Sequence, residues 1–84
     1  MYIVEWKDRA ERQLAAIWLA ATDRNAVTMT SNRIDQELAR RPLQLGESRA
    51  SSVQRILIDP PLGVEFEVIE DDKRVIVQFV YPIG

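Results

Sequence analysis

A chain of 84 residues, 46% hydrophobic and 29% charged, has room for one domain, residues 1–84, and the composition of a folded protein. It contains neither cysteine nor histidine, which excludes disulfides, thiol chemistry and a zinc site. A net charge of −2 argues against nucleic-acid binding driven by the overall field.

The first element is a short strand over Tyr2–Trp6, with Tyr2, Val4 and Trp6 on one face and Ile3 on the other. Asp8 is placed to cap a helix in which Ala10, Leu14, Ile17, Trp18 and Ala21 recur at helical spacing. Thr22-Asp23 marks a break and a second N-cap. The helix that follows buries Val27, Ile34 and Leu38, although the β-branched residues in Val27-Thr28-Met29-Thr30 locally favour a strand. Pro42 ends it, because the residue before a proline resists helical dihedrals.

Residues 42–51 then read as a loop, and three strands follow. Ser52–Ile58 is the first, and Asp59–Gly63 is a turn. Val64–Ile69 is the second, with Val64, Phe66 and Val68 on a buried face and Glu65 and Glu67 on the opposite one. Asp71–Lys73 is a hairpin turn, and Arg74–Tyr81 is the last strand. The expected fold is therefore α+β: an N-terminal strand, a two-helix hairpin, then a three-stranded antiparallel meander. Both helices must cover one sheet face, since nothing else in the chain can. Trp18 and Phe66 are expected to anchor the core.

Charge is unevenly placed. Residues 33–58 hold five arginines against three acids, whereas residues 59–84 hold six acids against two bases. Most arginines suit a solvated, salt-bridged surface. Arg55 lies within an apolar strand, so it either faces solvent or lines a site. Trp6 and Trp18 sit on apolar stripes and read as packing residues rather than base-stacking platforms. The run Glu70-Asp71-Asp72 reads as an acidic hairpin turn rather than a cation site. The N-terminus has no basic-then-apolar leader pattern, and the longest apolar run, Leu14–Ala21, is too short to cross a bilayer. Together with the absence of cysteine, this points to a cytoplasmic protein without membrane association, and no cofactor or metal is expected.

Both the order of elements and local wording resemble the RelE/ParE toxin superfamily, in particular its short plasmid-stabilisation variants. Trp6 leads into a helix with Leu14 and Trp18; Asp23-Arg24, Val27-Thr28, Ile34-Asp35, Leu38 and Pro42 follow. Then come Gly46-Glu47-Ser48-Arg49, Arg55, Pro61-Leu62-Gly63-Val64, Phe66-Glu67-Val68 and Asp72–Val77. The resemblance implies the toxin of a type II toxin–antitoxin pair with a cognate antitoxin protein as partner. The antitoxin would engage the sheet edges and the apolar Leu43, Leu45 and Leu62. It implies two targets. Some members are mRNA interferases, cutting mRNA on the ribosome; ParE-like members inhibit gyrase. A non-toxic binding module of the same fold is the third reading.

For an mRNA interferase, the resemblance places Arg55, Arg49, Glu47, Tyr81 and Arg74 at the site. Glu47 would take the 2′-hydroxyl proton, Arg49 and Arg55 would stabilise the phosphorane, and Tyr81 would protonate the leaving oxygen. The arginines of the 49–55 segment are then expected near the sheet face that the helices leave open. The sequence departs from that pattern. The second meander strand begins Gly63-Val64-Glu65, where an arginine would be expected, and no lysine cluster precedes the sheet.

Overall fold

A computed structural model describes residues 1–45, 47–48 and 54–84, with the backbone alone for Glu47 and Ser48. The elements are β1 (Ile3–Trp6), α1 (Asp8–Ala20), α2 (Arg24–Arg40), a 3-10 turn (Pro42–Gln44), β2 (Glu47–Ser48), β3 (Gln54–Asp59), β4 (Leu62–Ile69) and β5 (Arg74–Pro82). They build one five-stranded sheet in the order β1-β5-β4-β3-β2. Strand β1 runs parallel to β5, and every other pairing is antiparallel. The parallel pairing joins the first strand to the last, because parallel neighbours cannot be linked by a tight hairpin.

The composition of α1, Asp-Arg-Ala-Glu-Arg-Gln-Leu-Ala-Ala, is that of a strong helix former. Asp8 lies inside the first turn, beside Glu11, where its charge suits the helix dipole. The cap position is Lys7, which makes no side-chain cap bond, so Asp8 is not the cap that its residue type suggests. At the other end, Arg24 donates to the carbonyls of Trp18 and Leu19, at 3.2 and 3.1 Å, and so satisfies acceptors that α1 leaves open. Asp23 does cap α2, accepting from the Ala26 N–H at 3.0 Å. The β-branched segment at 27–30 is helical; packing of Val27 and Thr30 into the interior overrides its weak helix propensity.

Both helices lie on the same sheet face. Ala10 from α1 and Val27, Ile34 and Leu38 from α2 form one core with Leu62, Val64, Phe66 and Val68 of β4 and Val75, Val77 and Val80 of β5. Tyr2, Val4 and Trp6 pack against its margin. Phe66 is 1% exposed and is the largest fully buried side chain. Trp18 is 38% exposed, so the second expected anchor is not one. It lies on the flank of α1, beneath the Arg24 guanidinium at 4.5 Å, while Leu14 and Ile17 reach the core.

Two further expectations change. The loop over 42–51 contains the 3-10 turn and the short strand β2, which pairs with Ile56 and Arg55 of β3. Leu62, assigned to a turn and to an exposed partner surface, begins β4 and is fully buried in the core. Of its companions, Leu43 is exposed and Leu45 packs against the core margin.

A clamp ties α2 to the end of β3. Arg33 donates through Nε and Nη2 to both carboxylate oxygens of Asp59, each at 2.9 Å. The bonds to Asp59 push the guanidinium pKa further up from its already high value. Among the described residues no helix is long and apolar enough to cross a membrane.

Candidate functional site: the uncovered sheet face

Cross-strand neighbours in a sheet point to the same side, so the register sorts every strand residue by face. Val64 pairs with Val80, Phe66 with Val77 and Val68 with Val75, and all six are core residues on the helix side. The intervening pairs, Gly63–Tyr81, Glu65–Phe79, Glu67–Ile76 and Ile69–Arg74, line the opposite face. Strand β1 adds Ile3 and Glu5 to that face, and β3 adds Gln54, Ile56 and Ile58. A register shift between Glu65 and Phe66 leaves Gln78 without a partner on β4. Such an extra residue lets two successive side chains serve one face. Gln78 accordingly reaches Glu67 at 3.2 Å, while Phe79 stacks on Tyr81 with ring centroids 6.3 Å apart.

Beyond Val77, β5 has no strand on its outer side among the described residues, because β1 ends at Trp6. Side chains of α1 take over the exposed edge groups. Gln13 accepts from the Val80 N–H at 2.8 Å, and Arg9 donates to the Gln78 carbonyl at 3.3 Å. In doing so Arg9 passes round the edge, and its guanidinium lies 4.0 Å from the centroid of Phe79. Filling the edge in this way blocks pairing with a stray strand.

The carboxylates of this face have mixed partners. Glu5 pairs with Arg74. Glu65 accepts from the Tyr81 hydroxyl at 2.7 Å, and Glu67 from the Gln78 amide. Gly63 sits opposite Tyr81, where a Cβ would lie only 3.0 Å from Ile58 and 3.2 Å from Ile83. Its bare backbone lets those two side chains close over the strand.

Of the residues singled out for RNA cleavage, the three whose side chains are described, Arg55, Tyr81 and Arg74, do not converge. Arg55 pairs with Phe66 and therefore points to the helix side, not to the open face where it was expected. It is half-buried, and its Nε donates to the Leu45 carbonyl at 2.7 Å, tying down the chain after the 3-10 turn. Tyr81 and Arg74 do share the open face, but they stand near opposite ends of β5. Seven steps of extended chain separate them by roughly 20 Å. Arg49 and the side chain of Glu47 lie outside the described residues. Arg9, Glu65, Glu67 and Phe79 were not singled out from sequence. The signal was present only in part: the Glu-x-Glu alternation was visible, whereas the register shift and the reach of Arg9 were not.

On the helix side a groove of about 540 Å³ opens between α1 and α2. Its floor includes Trp6, whose indole N–H donates to Asp35 at 2.8 Å, and its walls include Leu14, Trp18 and Val27. Glu11 and Asp35 are its charged lining residues.

At the β4–β5 hairpin, Glu70 accepts from both Lys73 and the Tyr2 hydroxyl. The Lys73 bond, then the Tyr2 bond, hold the Glu70 carboxyl below its ordinary range. The bond to Glu70 raises both partners, Lys73 and Tyr2. Lys73 turns the corner with φ 52°, in the left-handed region.

Comparison with solved structures identifies this arrangement. A chain of a RelBE toxin–antitoxin complex from Mycobacterium tuberculosis superposes with TM-score 0.77 at 16% identity, over 96% of both chains. The chain has the RelE/ParE toxin fold. The chromosomal ParDE toxin–antitoxin system of Pseudomonas aeruginosa gives TM-score 0.74 at 16% identity, over 100% of this chain and 98% of that one. The isolated RelE toxin of Escherichia coli gives 0.71 at 13% identity, over 100% of this chain and 86% of that one. No family model matches the sequence, and no curated protein matches it. The likeness therefore lies in the backbone, with few shared side chains.

Proposed function

We propose that this protein is the toxin of a type II toxin–antitoxin pair, held by a protein antitoxin, and that it acts by binding a protein rather than by cutting RNA. The whole-chain match to proteins solved as toxin–antitoxin complexes supports the first half. The observation that carries the second is the chemistry of the uncovered face. Phosphate recognition calls for unpaired cations at the reacting centre. Here Glu65 and Glu67 occupy the middle of the face, Arg74 is paired with Glu5, Arg55 points to the other side, and Arg9 at the margin is laid over the Phe79 ring. Tyr81, the acid that cleavage would need, donates its hydroxyl hydrogen bond to Glu65.

The test is inducible expression in bacteria, with and without whatever small gene neighbours its own, alongside mapping of transcript ends. Growth arrest that the neighbour relieves, with transcripts intact, is the expected result. New cleavage within coding sequences would replace this reading with an mRNA interferase. Unimpeded growth would leave a non-toxic binding module.

A further inference from the structure

We infer that the uncovered sheet face is a docking surface for a protein segment that carries arginine or lysine among apolar residues. This rests on the protein-binding reading above and names the surface that performs it. The first observation is apolar content on a face that no helix covers among the described residues. Ile3, Ile56, Ile58, Ile69 and Ile76 project there with Phe79 and Tyr81. Ile3 is 69% exposed and Ile58 is 50% exposed, at opposite margins of the face. A sheet face that met only water would alternate apolar-in with polar-out. This one keeps isoleucine on its uncovered side in β1, β3, β4 and β5.

The second observation is the state of the carboxylates. Glu65 and Glu67 accept from a phenol and an amide, both neutral. Such donors satisfy a lone pair and carry no positive charge of their own. Among the described residues, no ion pair reaches either one. Two half-buried negative charges amid isoleucine favour a cation delivered on an apolar strand or helix. They also repel a phosphate backbone.

The third observation is Arg9. Its guanidinium already lies on the Phe79 ring, on the margin of the same face, and shows the geometry in which the surface takes such a group. Glu65 pairs directly with Phe79 across the sheet, so a carboxylate stands beside the ring on which a guanidinium already rests.

The experiment uses the full chain, labelled for amide NMR, with three probes: a short peptide alternating lysine with leucine, its glutamate counterpart, and a single-stranded RNA oligonucleotide. The lysine peptide should shift the amides of Glu65, Glu67, Ile76 and Phe79, and the other two probes should not. In the Glu65→Gln/Glu67→Gln variant, which keeps acceptors for Tyr81 and Gln78, binding should weaken by about ten-fold. An unchanged spectrum of the free variant outside this face verifies that it folds. Absence of binding, shifts confined to the α1–α2 groove, equal binding of the glutamate peptide, or RNA shifting the same amides would each overturn the proposal. Growth arrest relieved by the neighbouring gene, combined with any of the first three outcomes, would leave the toxin reading standing and remove this surface alone; RNA shifting those amides would remove the protein-binding reading as well.

Discussion

The two faces of β4 differ by one residue step and by almost everything else. Val64, Phe66 and Val68 point to the helices and are at most 1% exposed. Glu65 and Glu67, between them, point away and remain half-buried against isoleucines and aromatic rings. Burial on the first face supplies the folding free energy. The second face mixes partly buried apolar residues with charge. One strand of alternating sequence thus separates what the domain needs to fold from what it presents to a partner.

The largest break in that comparison is Phe66→Ala. Truncating a fully buried phenylalanine should cost about 3–5 kcal/mol, most of the stability of a domain this small. On the same strand, Glu65→Gln should stay within about 0.5 kcal/mol, since its hydrogen bond survives. Urea denaturation of the pair measures both. Similar midpoints for the two variants would mean that the faces are wrongly divided.

Arg55 is the exception on the helix side, and it sharpens the comparison. As the donor to the Leu45 carbonyl it acts as a strut. Arg55→Ala should lower stability by about 1.5–3 kcal/mol, the usual worth of a charged hydrogen bond that is partly shielded. Amide exchange should quicken around Leu45. Arg74→Ala, which removes an exposed ion pair on the other face, should cost no more than about 1 kcal/mol. Equal losses would show that Arg55 does no more than a surface arginine.

The sequence made the meander, the second helix and its Asp23 cap legible, because each has a local physical cause. Period-two alternation marks β4, and a side-chain acceptor marks the start of α2. Arg55 was harder for an equally specific reason. In Gln54-Arg55-Ile56-Leu57-Ile58, two polar residues are adjacent and three apolar ones are consecutive, so no alternation reveals which side faces the core. Its pairing with β4, a long-range contact, decides that. Trp18 misled because its size suggests burial, while the narrow stripe through Ala10, Leu14, Ile17 and Ala21 already fills the interface. The uncovered face was only half legible, since the extra residue Gln78 breaks the alternation that would have placed Phe79 with Tyr81.

Trp18 offers a smaller test. Its ring lies over the groove margin and meets Arg24 rather than the core. Trp18→Ala should cost roughly 1–2 kcal/mol, well below the Phe66 variant, since a side chain that keeps over a third of its surface in water has less transfer free energy to lose. Denaturation midpoints again decide, and a loss equal to that of Phe66→Ala would restore Trp18 to the core.

The smallest effect is expected at the hairpin, where neither face governs. Glu70 holds a depressed carboxyl pKa because Lys73 and Tyr2 donate to its charged form. A group whose folded pKa is depressed contributes stability that is present above its unfolded value, ordinarily near 4.5. That contribution is lost as pH falls through the lower, folded value. Lys73 and Tyr2, both raised, behave oppositely: their contribution is in place below their unfolded values and disappears as pH climbs through the alkaline range. Between these limits the cluster should add nothing to the slope of stability with pH. Glu70→Gln should therefore flatten part of the acid limb of a thermal-melt series and soften the alkaline limb, while the neutral plateau shifts little, because all three groups are exposed to solvent. An acid limb identical in the variant would show that the carboxyl is as easily protonated folded as unfolded, and that the Tyr2–Glu70–Lys73 contacts do not persist in solution.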